Sequence, residues 1–431
     1  MSWEVLGALY LGLMLVLLFG GVWIAVSLGA AGVVGLWLVN PALLGGLESV
    51  VWNTINNFVL TAVPLFIFMG MVILHSGISG RFYRSLSLWL NRVPGGLAQT
   101  NIVACSIFSA LCGSSVATAA AVGSIAIPEM KQRGYGLRPT TGTLAAGGTL
   151  GILIPPSIPL IIYGSTVGES VGKLFVAGIV PGILMAAIFM VFLACHAKLR
   201  PAQFPSSSES VPWTARLIGL RDVVPALLLI VLVLGGIYAG VMTPTEAAGV
   251  GAAGAVAVAA VYRSLTLDVL RRSILDTLRT NAMVLFIVVC AQIMSFALVS
   301  AGVPRALVHA IEAAQLGPYV IFALVVIMYL LLGSLVDALS LMLLTLPLVH
   351  PIMKAAGFDP IWFGIVLVLL LEIGVITPPV GMNLFVIQGM AKTKLGEVAW
   401  GAFPYVVLLL IGVLLLALFP QIALWLPQKM F

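Results

Sequence analysis

The chain has 431 residues, of which 61% are hydrophobic and only 8% are charged, and its net charge is +6. A soluble domain carries roughly 25% charged residues, so the composition excludes a protein with a sizeable soluble domain. Apolar runs of about 18 or more residues recur from end to end, and each is long enough to span a bilayer. The sequence therefore predicts an all-α polytopic membrane protein.

The first stretch, MSWEVLGALYLGLMLVLLFGGVW, has no basic region and no clear cleavage site. We expect a retained first span rather than a signal peptide. The basic residues lie in short loops between apolar runs, and sixteen of the twenty Lys and Arg fall on alternate loops. The positive-inside rule puts those loops in the cytoplasm and both termini in the periplasm. The basic excess is therefore a topology signal and does not indicate nucleic-acid binding.

Three motifs occur twice in the same order. GSSVAT (113–118) corresponds to GSLVDA (333–338), MKQRGY (130–135) to MKAAGF (353–358), and LGILIPP (150–156) to IGVITPP (373–379). The offset is 220 for the first pair and 223 for the other two, which indicates a duplication. The first MKQRGY lies on the basic side of the membrane and MKAAGF on the other side. The sequence therefore predicts two repeats that are inverted with respect to the membrane.

The predicted first repeat covers 1–196 and the second covers 222–431, joined by a cytoplasmic linker at 197–221. Within each repeat, two half-length apolar segments around a Gly-Ser tip predict a re-entrant hairpin, at about 98–129 and 318–352. A transmembrane helix broken by Gly and Pro-Pro follows each hairpin, because proline removes a backbone N–H and clashes with the preceding turn. These broken helices are expected at about 139–168 and 361–391. The amphipathic stretch 265–279 is expected to lie flat at the cytoplasmic surface.

Two tips and two breaks predict a polar site near the middle of the membrane, because unwound backbone is tolerated there only inside protein or beside water. Asp337 at the second tip is a functional candidate, since a carboxylate at membrane depth is costly. The alternative role for Asp337 is to accept local backbone N–H groups. Glu372 could bind an ion, pair with a basic group or hold the broken helix. The oxygen-only character of the clusters favours a hard cation such as sodium.

No set of residues indicates an enzyme: the sequence offers no arguable Ser/His/Asp set and no HExxH spacing. Three stretches instead resemble the large membrane permease subunit of TRAP transporters (tripartite ATP-independent periplasmic transporters) of the C4-dicarboxylate and sialic acid type. These stretches are SALCGSSVATAAAVGSIAIPEMKQRGY, LAAGGTLGILIPPSIPLIIYG and DPIWFGIVLVLLLEIGVITPPVGMNLFVIQGMA. Two departures from the family pattern are Ala338, where Pro is frequent, and Cys112, where Ser or Gly is frequent.

The resemblance implies sodium-coupled uptake of an organic acid, such as a C4-dicarboxylate or sialic acid, by an elevator-type motion in the bacterial inner membrane. It also implies two partners, a small four-helix membrane subunit and a periplasmic substrate-binding protein, besides the membrane lipids. One implied sodium site uses Ser114, Ser115 and Thr118 with backbone near Gly151 to Pro155. The other uses Ser334 and Asp337 with backbone near Gly374 and Thr377. The implied substrate-binding residues are Ser115, Ser157, Thr377 and Asn383.

Two other functions remain open at this point. The first is a sodium-coupled carboxylate symporter that works without a binding protein. The second is a membrane scaffold that transports nothing, which predicts no dependence on solute or sodium.

Overall fold

A computed structural model describes residues 3–205 and 211–430, and these residues form helices and connecting turns without any β-strand. The first-half helices are α1 (Trp3–Phe19), α2 (Ile24–Val39), α3 (Leu47–Ile55), α4 (Ala62–His75), α5 (Ile78–Leu90), α6 (Gly96–Cys112), α7 (Ser115–Gln132), α8 (Leu137–Leu153), α9 (Ile158–Val167) and α10 (Val171–Leu199). The second-half helices are α11 (Trp213–Tyr238), α12 (Pro244–Val261), α13 (Leu267–Ser300), α14 (Val303–Ala313), α15 (Pro318–Gly333), α16 (Ala338–Ala355), α17 (Pro360–Val375), α18 (Met382–Ala391), α19 (Leu395–Leu418) and α20 (Gln421–Met430).

Among the described residues, eight helical segments are long and apolar enough to cross a membrane. They include the combined segment Leu137–Val167, which contains both α8 and α9, and the long helix α13. The all-α membrane architecture expected from composition is therefore confirmed. Half-length apolar helices, among them α6, α15, α17 and α18, accompany these spans.

The centre of the molecule is built from α8 and α17. Every residue from Pro139 to Leu153 is buried, and so is every residue from Trp362 to Gly374. The two helices pack against each other, and α10 and α19 pack against both. Helices that lack any exposed face belong inside the protein rather than against lipid. The two helices that lead into the Pro-Pro segments thus lie in the core.

Small residues allow α8 and α19 to approach very closely. A Cβ added at Gly142 on α8 would lie 2.1 Å from the backbone oxygen of Gly401 on α19, a distance that no side chain can occupy. At the end of this crossing, Arg138 forms an exposed ion pair with Glu397 at 2.9 Å. The crossing joins two segments that are 259 residues apart in the chain.

Two boundaries differ from the predicted ones. Helix α10 continues to Leu199 and α11 begins at Trp213, so both ends of the predicted 197–221 linker are helical. The stretch 265–279 is helical from Leu267 onward, as its spacing predicts, but it is not a separate surface helix. It forms the first turns of the 34-residue helix α13, because neither glycine nor proline interrupts the chain between Leu267 and Ser300.

Candidate functional site

The Gly-Ser tip of the first helix pair is a tight turn between α6 and α7. Gly113 has φ +60°, a left-handed conformation that glycine adopts without steric cost. Ser114 follows in an extended conformation and caps α7, its hydroxyl oxygen accepting a hydrogen bond from the backbone N–H of Ala117 at 3.5 Å. The start of α7 therefore brings free backbone N–H groups and the positive end of a helix dipole to this tip.

The first Pro-Pro segment separates α8 from α9. Pro155 and Pro156 lie in the interruption at 154–157, and the peptide bond between them is cis. The hydroxyl oxygen of Ser157 caps α9 by accepting from the N–H of Leu160 at 3.5 Å, and the hydroxyl donates to the carbonyl oxygen of Ile152. This interruption leaves backbone groups outside the regular helical pattern within a buried part of the protein.

The first tip packs directly on the first break. A Cβ added at Gly151 would lie 2.7 Å from the carbonyl oxygen of Ser114, so only glycine fits there. The N–H of Ile158 donates to the carbonyl oxygen of Gly113 at 3.4 Å. The structure therefore brings together the residues predicted to form the first cation site. Thr118, one turn along α7, is fully buried, and its hydroxyl has no hydrogen-bond partner among the described residues.

The second tip lies between α15 and α16. Its hydrogen bonds resemble those of the first tip, with Asp337 in the capping role: one carboxylate oxygen accepts from the N–H of Ser340 at 3.0 Å. Asp337 is half-buried, and its second carboxylate oxygen has no hydrogen bond to a described residue. Ser334 is buried, and its hydroxyl donates to the carbonyl oxygen of Leu331 at 2.9 Å.

The second tip in turn packs on the second break. A Cβ at Gly374 would lie 2.6 Å from the carbonyl oxygen of Gly333, and the N–H of Val380 donates to the carbonyl oxygen of Ser334 at 2.9 Å. Thr377 donates its hydroxyl back to the carbonyl oxygen of Ile373 at 2.6 Å. The predicted second cation group is therefore also assembled from one tip and one break.

The two breaks differ in burial, which the sequence does not predict. Pro155 and Pro156 are buried, whereas Pro378 and Pro379 are exposed. The second break therefore lies at a surface of this chain, and the first break is closed inside it.

Asn383, on α18, joins the second break to the first tip. Its side-chain amide nitrogen donates to the hydroxyl of Ser115 at 2.7 Å and to the carbonyl oxygen of Ala145 at 3.3 Å. Asn383 is fully buried, and its amide oxygen has no partner among the described residues. Of the four predicted substrate residues, Asn383 and Ser115 are thus in contact. Ser157 and Thr377 lie on different breaks, and each donates its hydroxyl to a carbonyl oxygen of the preceding helix.

Glu372 lies on α17, just before the second break. It is fully buried, and neither carboxylate oxygen has a hydrogen-bond partner in the described part of the chain. Pairing with a basic group, one of the three roles considered for Glu372, does not occur among those residues.

Ala145 and Gly148 contribute to the site without having been predicted. Ala145 supplies a carbonyl oxygen to Asn383, and a Cβ at Gly148 would lie 3.1 Å from the Asn383 amide nitrogen. The signal in the sequence is the run of small residues LAAGG at 144–148, which permits close approach between helices.

These features define a class: a multi-pass helical membrane protein whose buried polar site is built from two helix tips and two interrupted helices, as in secondary transporters. The sequence matches the family described as "Tripartite ATP-independent periplasmic transporter, DctM component" over residues 11–422. The chain belongs to this family of large TRAP transporter permeases, which are not enzymes.

Individual relatives are similar over almost their whole length. The C4-dicarboxylate TRAP transporter large permease DctM of Pseudomonas aeruginosa is 37% identical over 403 residues, covering 93% of this chain and 94% of the relative. The sialic acid TRAP transporter large permease SiaM of Vibrio cholerae is 32% identical over 414 residues, covering 96% of both. The crystal structure of the YdaH transporter of Alcanivorax borkumensis has a similar fold, with a TM-score of 0.59, 16% identity, and coverage of 90% of this chain and 88% of YdaH.

Proposed function

We propose that this chain is the large membrane subunit of a sodium-coupled, binding-protein-dependent secondary transporter that imports an organic acid by an elevator mechanism. One observation carries the proposal: each tip packs on the break of its own half, and Asn383 then joins the two halves. This arrangement makes one packed polar unit from four elements. A unit of that kind can carry a bound solute as a body when it moves against the rest of the protein.

Two sodium sites follow from the two tip-and-break pairs. The first would use Ser114, Ser115 and Thr118 with backbone oxygens between Gly151 and Pro155, and the second Ser334 and Asp337 with backbone near Gly374 and Thr377. Their support is chemical, because both groups offer hydroxyl, carbonyl and carboxylate oxygens, the ligands of hard cations. The unpartnered hydroxyl of Thr118 and the second carboxylate oxygen of Asp337 add free ligands to the two groups.

The proposed architecture has two inverted repeats, 1–196 and 222–431, each with a re-entrant hairpin and a broken helix. The matching order of motifs supports it, and so does the matching order of helices. In each half a helix pair around a Gly-Ser tip precedes a helix that stops at Pro-Pro and restarts.

The proposed substrate is a carboxylate. The names of the relatives point to C4-dicarboxylates and to sialic acid. A carboxylate bound between the tips would meet the N-terminal ends of α7 and α16, whose helix dipoles favour negative charge. Ser115, Ser157, Thr377 and Asn383 would supply the polar side chains.

A tripartite system supplies two further components, and we assign them as a small membrane subunit and a periplasmic substrate-binding protein. The chain would lie in the bacterial inner membrane with both termini in the periplasm, on the evidence of the basic loops.

Reconstitution tests the proposal. Proteoliposomes that contain this chain and the small subunit, with purified binding protein outside, are given labelled C4-dicarboxylates and sialic acid. We expect uptake that needs the binding protein and rises with external sodium at a fixed membrane potential. Equal uptake in choline buffer, with the proton gradient abolished, would contradict sodium coupling. Uptake without the binding protein would favour the self-sufficient symporter.

A further inference from the structure

Arg216, on the first turn of α11, has a buried guanidinium group. The residue is 7% exposed, and its Nε and Nη2 atoms have no hydrogen-bond acceptor among the described residues. Arg216 also forms no salt bridge with a carboxylate of those residues, although arginine stays charged at all ordinary pH values. Burying hydrogen-bond donors of a charged group without acceptors is costly, so Nε and Nη2 favour an anion from outside the described residues.

Trp213 stacks on this guanidinium, and Trp89 packs in turn against Trp213. The Arg216 Cζ atom lies 5.2 Å from the centre of the Trp213 ring, and the rings of Trp213 and Trp89 meet edge to face at 6.0 Å. The indole N–H of Trp89, at the end of α5, is buried and has no partner among the described residues. Three buried nitrogen donors therefore lack acceptors next to Trp213: Nε and Nη2 of Arg216 and Nε1 of Trp89. Trp213 is 65% exposed, so its side chain lies between the guanidinium and the surroundings of the protein.

The chemistry of these donors favours phosphate. A guanidinium presents parallel N–H groups that match two oxygens of one phosphate, and such charge-assisted pairs are the strong hydrogen bonds of proteins. A second neutral donor, such as the Trp89 indole, can meet a further phosphate oxygen.

The surroundings place this anion at a membrane surface. Beyond Trp213, helix α11 exposes the apolar side chains of Leu217, Ile218, Leu228 and Val231, a surface suited to an acyl chain. Tryptophan is enriched at the level of lipid headgroups. Arg221, further along α11, is exposed, and basic residues beside a membrane attract anionic lipid.

We propose that Arg216 and Trp89 bind the phosphate of an anionic phospholipid, with an acyl chain along the exposed face of α11. The Trp213 ring covers the guanidinium, so lipid entry requires this exposed side chain to turn aside. The site is independent of the proposed transport function, because it contains none of the tip or break residues.

The test is native mass spectrometry of the purified full-length chain after incubation with phosphatidylglycerol. Arg216→Gln is compared with wild type and with Arg84→Gln, a matched control that removes the same charge from an exposed position of α5. We expect Arg216→Gln to lower phosphatidylglycerol retention about tenfold, the effect of losing one charge-assisted hydrogen-bonded pair. Arg84→Gln should retain wild-type binding.

Further arms identify the source of the phosphate. Diacylglycerol, which lacks phosphate, should not be retained, and inorganic phosphate should not displace the lipid. Arg216→Lys keeps the positive charge but lacks the paired N–H groups of the guanidinium, so it should retain an intermediate amount of lipid. This variant also provides a test if Arg216→Gln does not fold. Equal retention by wild type, Arg216→Gln and Arg216→Lys would overturn the proposal. Displacement of the lipid by inorganic phosphate alone would also overturn it.

Discussion

Asn383 donates its side-chain amide to the hydroxyl of Ser115 at 2.7 Å, although the two residues are 268 positions apart in the chain. Both side chains are buried, and the same amide nitrogen also reaches the carbonyl oxygen of Ala145. Through this hydrogen bond, α18 of the second interrupted helix contacts the first residue of α7. The geometry of the first tip therefore depends on a residue from the other half of the protein.

The first prediction concerns this pair. Asn383→Ala leaves the Ala145 carbonyl without this buried donor and should lower the free energy of unfolding by about 1–3 kcal/mol. Because Ser115→Ala removes the same hydrogen bond from the other side, the double variant should be less destabilised than the sum of the single variants, by about 0.5–3 kcal/mol. Unfolding of the four proteins in one detergent measures this coupling. Strictly additive losses would show that the bond contributes no coupling energy.

The second prediction concerns the contact between Gly374 and Gly333. Gly374→Ala would place a Cβ 2.6 Å from a backbone oxygen that cannot turn aside, so the second tip must separate from the second break. We expect a loss of about 1–3 kcal/mol in stability and of most uptake activity. Gly389→Ala on α18 is the matched control, because its added Cβ meets nothing within 4 Å. Thermal unfolding and uptake are measured for both variants, and equal behaviour would contradict the close contact.

The third prediction concerns Asp337. Asp337→Asn keeps the oxygen that caps α16 and removes the charge, so folding should survive while sodium affinity falls roughly tenfold to a hundredfold, as expected for one charged ligand. Because linkage is reciprocal, the higher sodium requirement should relax partly at saturating substrate. The measurement is sodium-titrated uptake in proteoliposomes at two substrate concentrations.

The control for Asp337 is Asp359→Asn. Asp359 caps α17 in the same way, accepting from the N–H groups of Ile361 and Trp362 at 2.8 and 3.1 Å, but it lies at the start of α17 and away from the breaks. Asp359→Asn should keep the wild-type sodium dependence. An Asp337→Asn variant with that same dependence would leave Asp337 as a helix cap only.

The fourth prediction concerns sidedness. Basic residues flank the segment that joins α10 to α11, and the positive-inside rule puts this segment in the cytoplasm. A topology reporter inserted after Pro205 should therefore give a cytoplasmic signal, and a reporter at the C-terminus a periplasmic one. A periplasmic signal at Pro205 would contradict the inverted-repeat arrangement.

The helix interruptions could be predicted from the sequence because their cause is local. Proline lacks a backbone N–H wherever it occurs, so the Pro-Pro pairs at 155–156 and 378–379 end α8 and α17 close to the expected positions. The turns around Gly113 and Ser334 were predictable for a similar reason, since short polar tips between apolar segments have few other conformations.

The remaining features depend on which helices cover which surfaces. The burial of Pro155 and the exposure of Pro379 follow from packing and not from the residues themselves, which are the same. The charged residues of 197–221 favour a loop, but Lys198 lies on the last turn of α10, and Arg216 and Arg221 lie on α11. The contact of Asn383 with Ser115 has no local signal, because it joins distant parts of the chain.

The crossing of α8 and α19 at Gly142 and Gly401 has a consequence for biosynthesis. A ribosome adds about 5–20 residues per second, so α8 is made roughly 13–50 s before the partner that fills its surface 259 residues later. During that interval the glycine-rich helix α8, which is buried in the finished protein, can contact only lipid, the insertion machinery or helices made earlier. The first half is therefore inserted in the membrane before its packing is complete, and its packing is completed only after α19 has been synthesised.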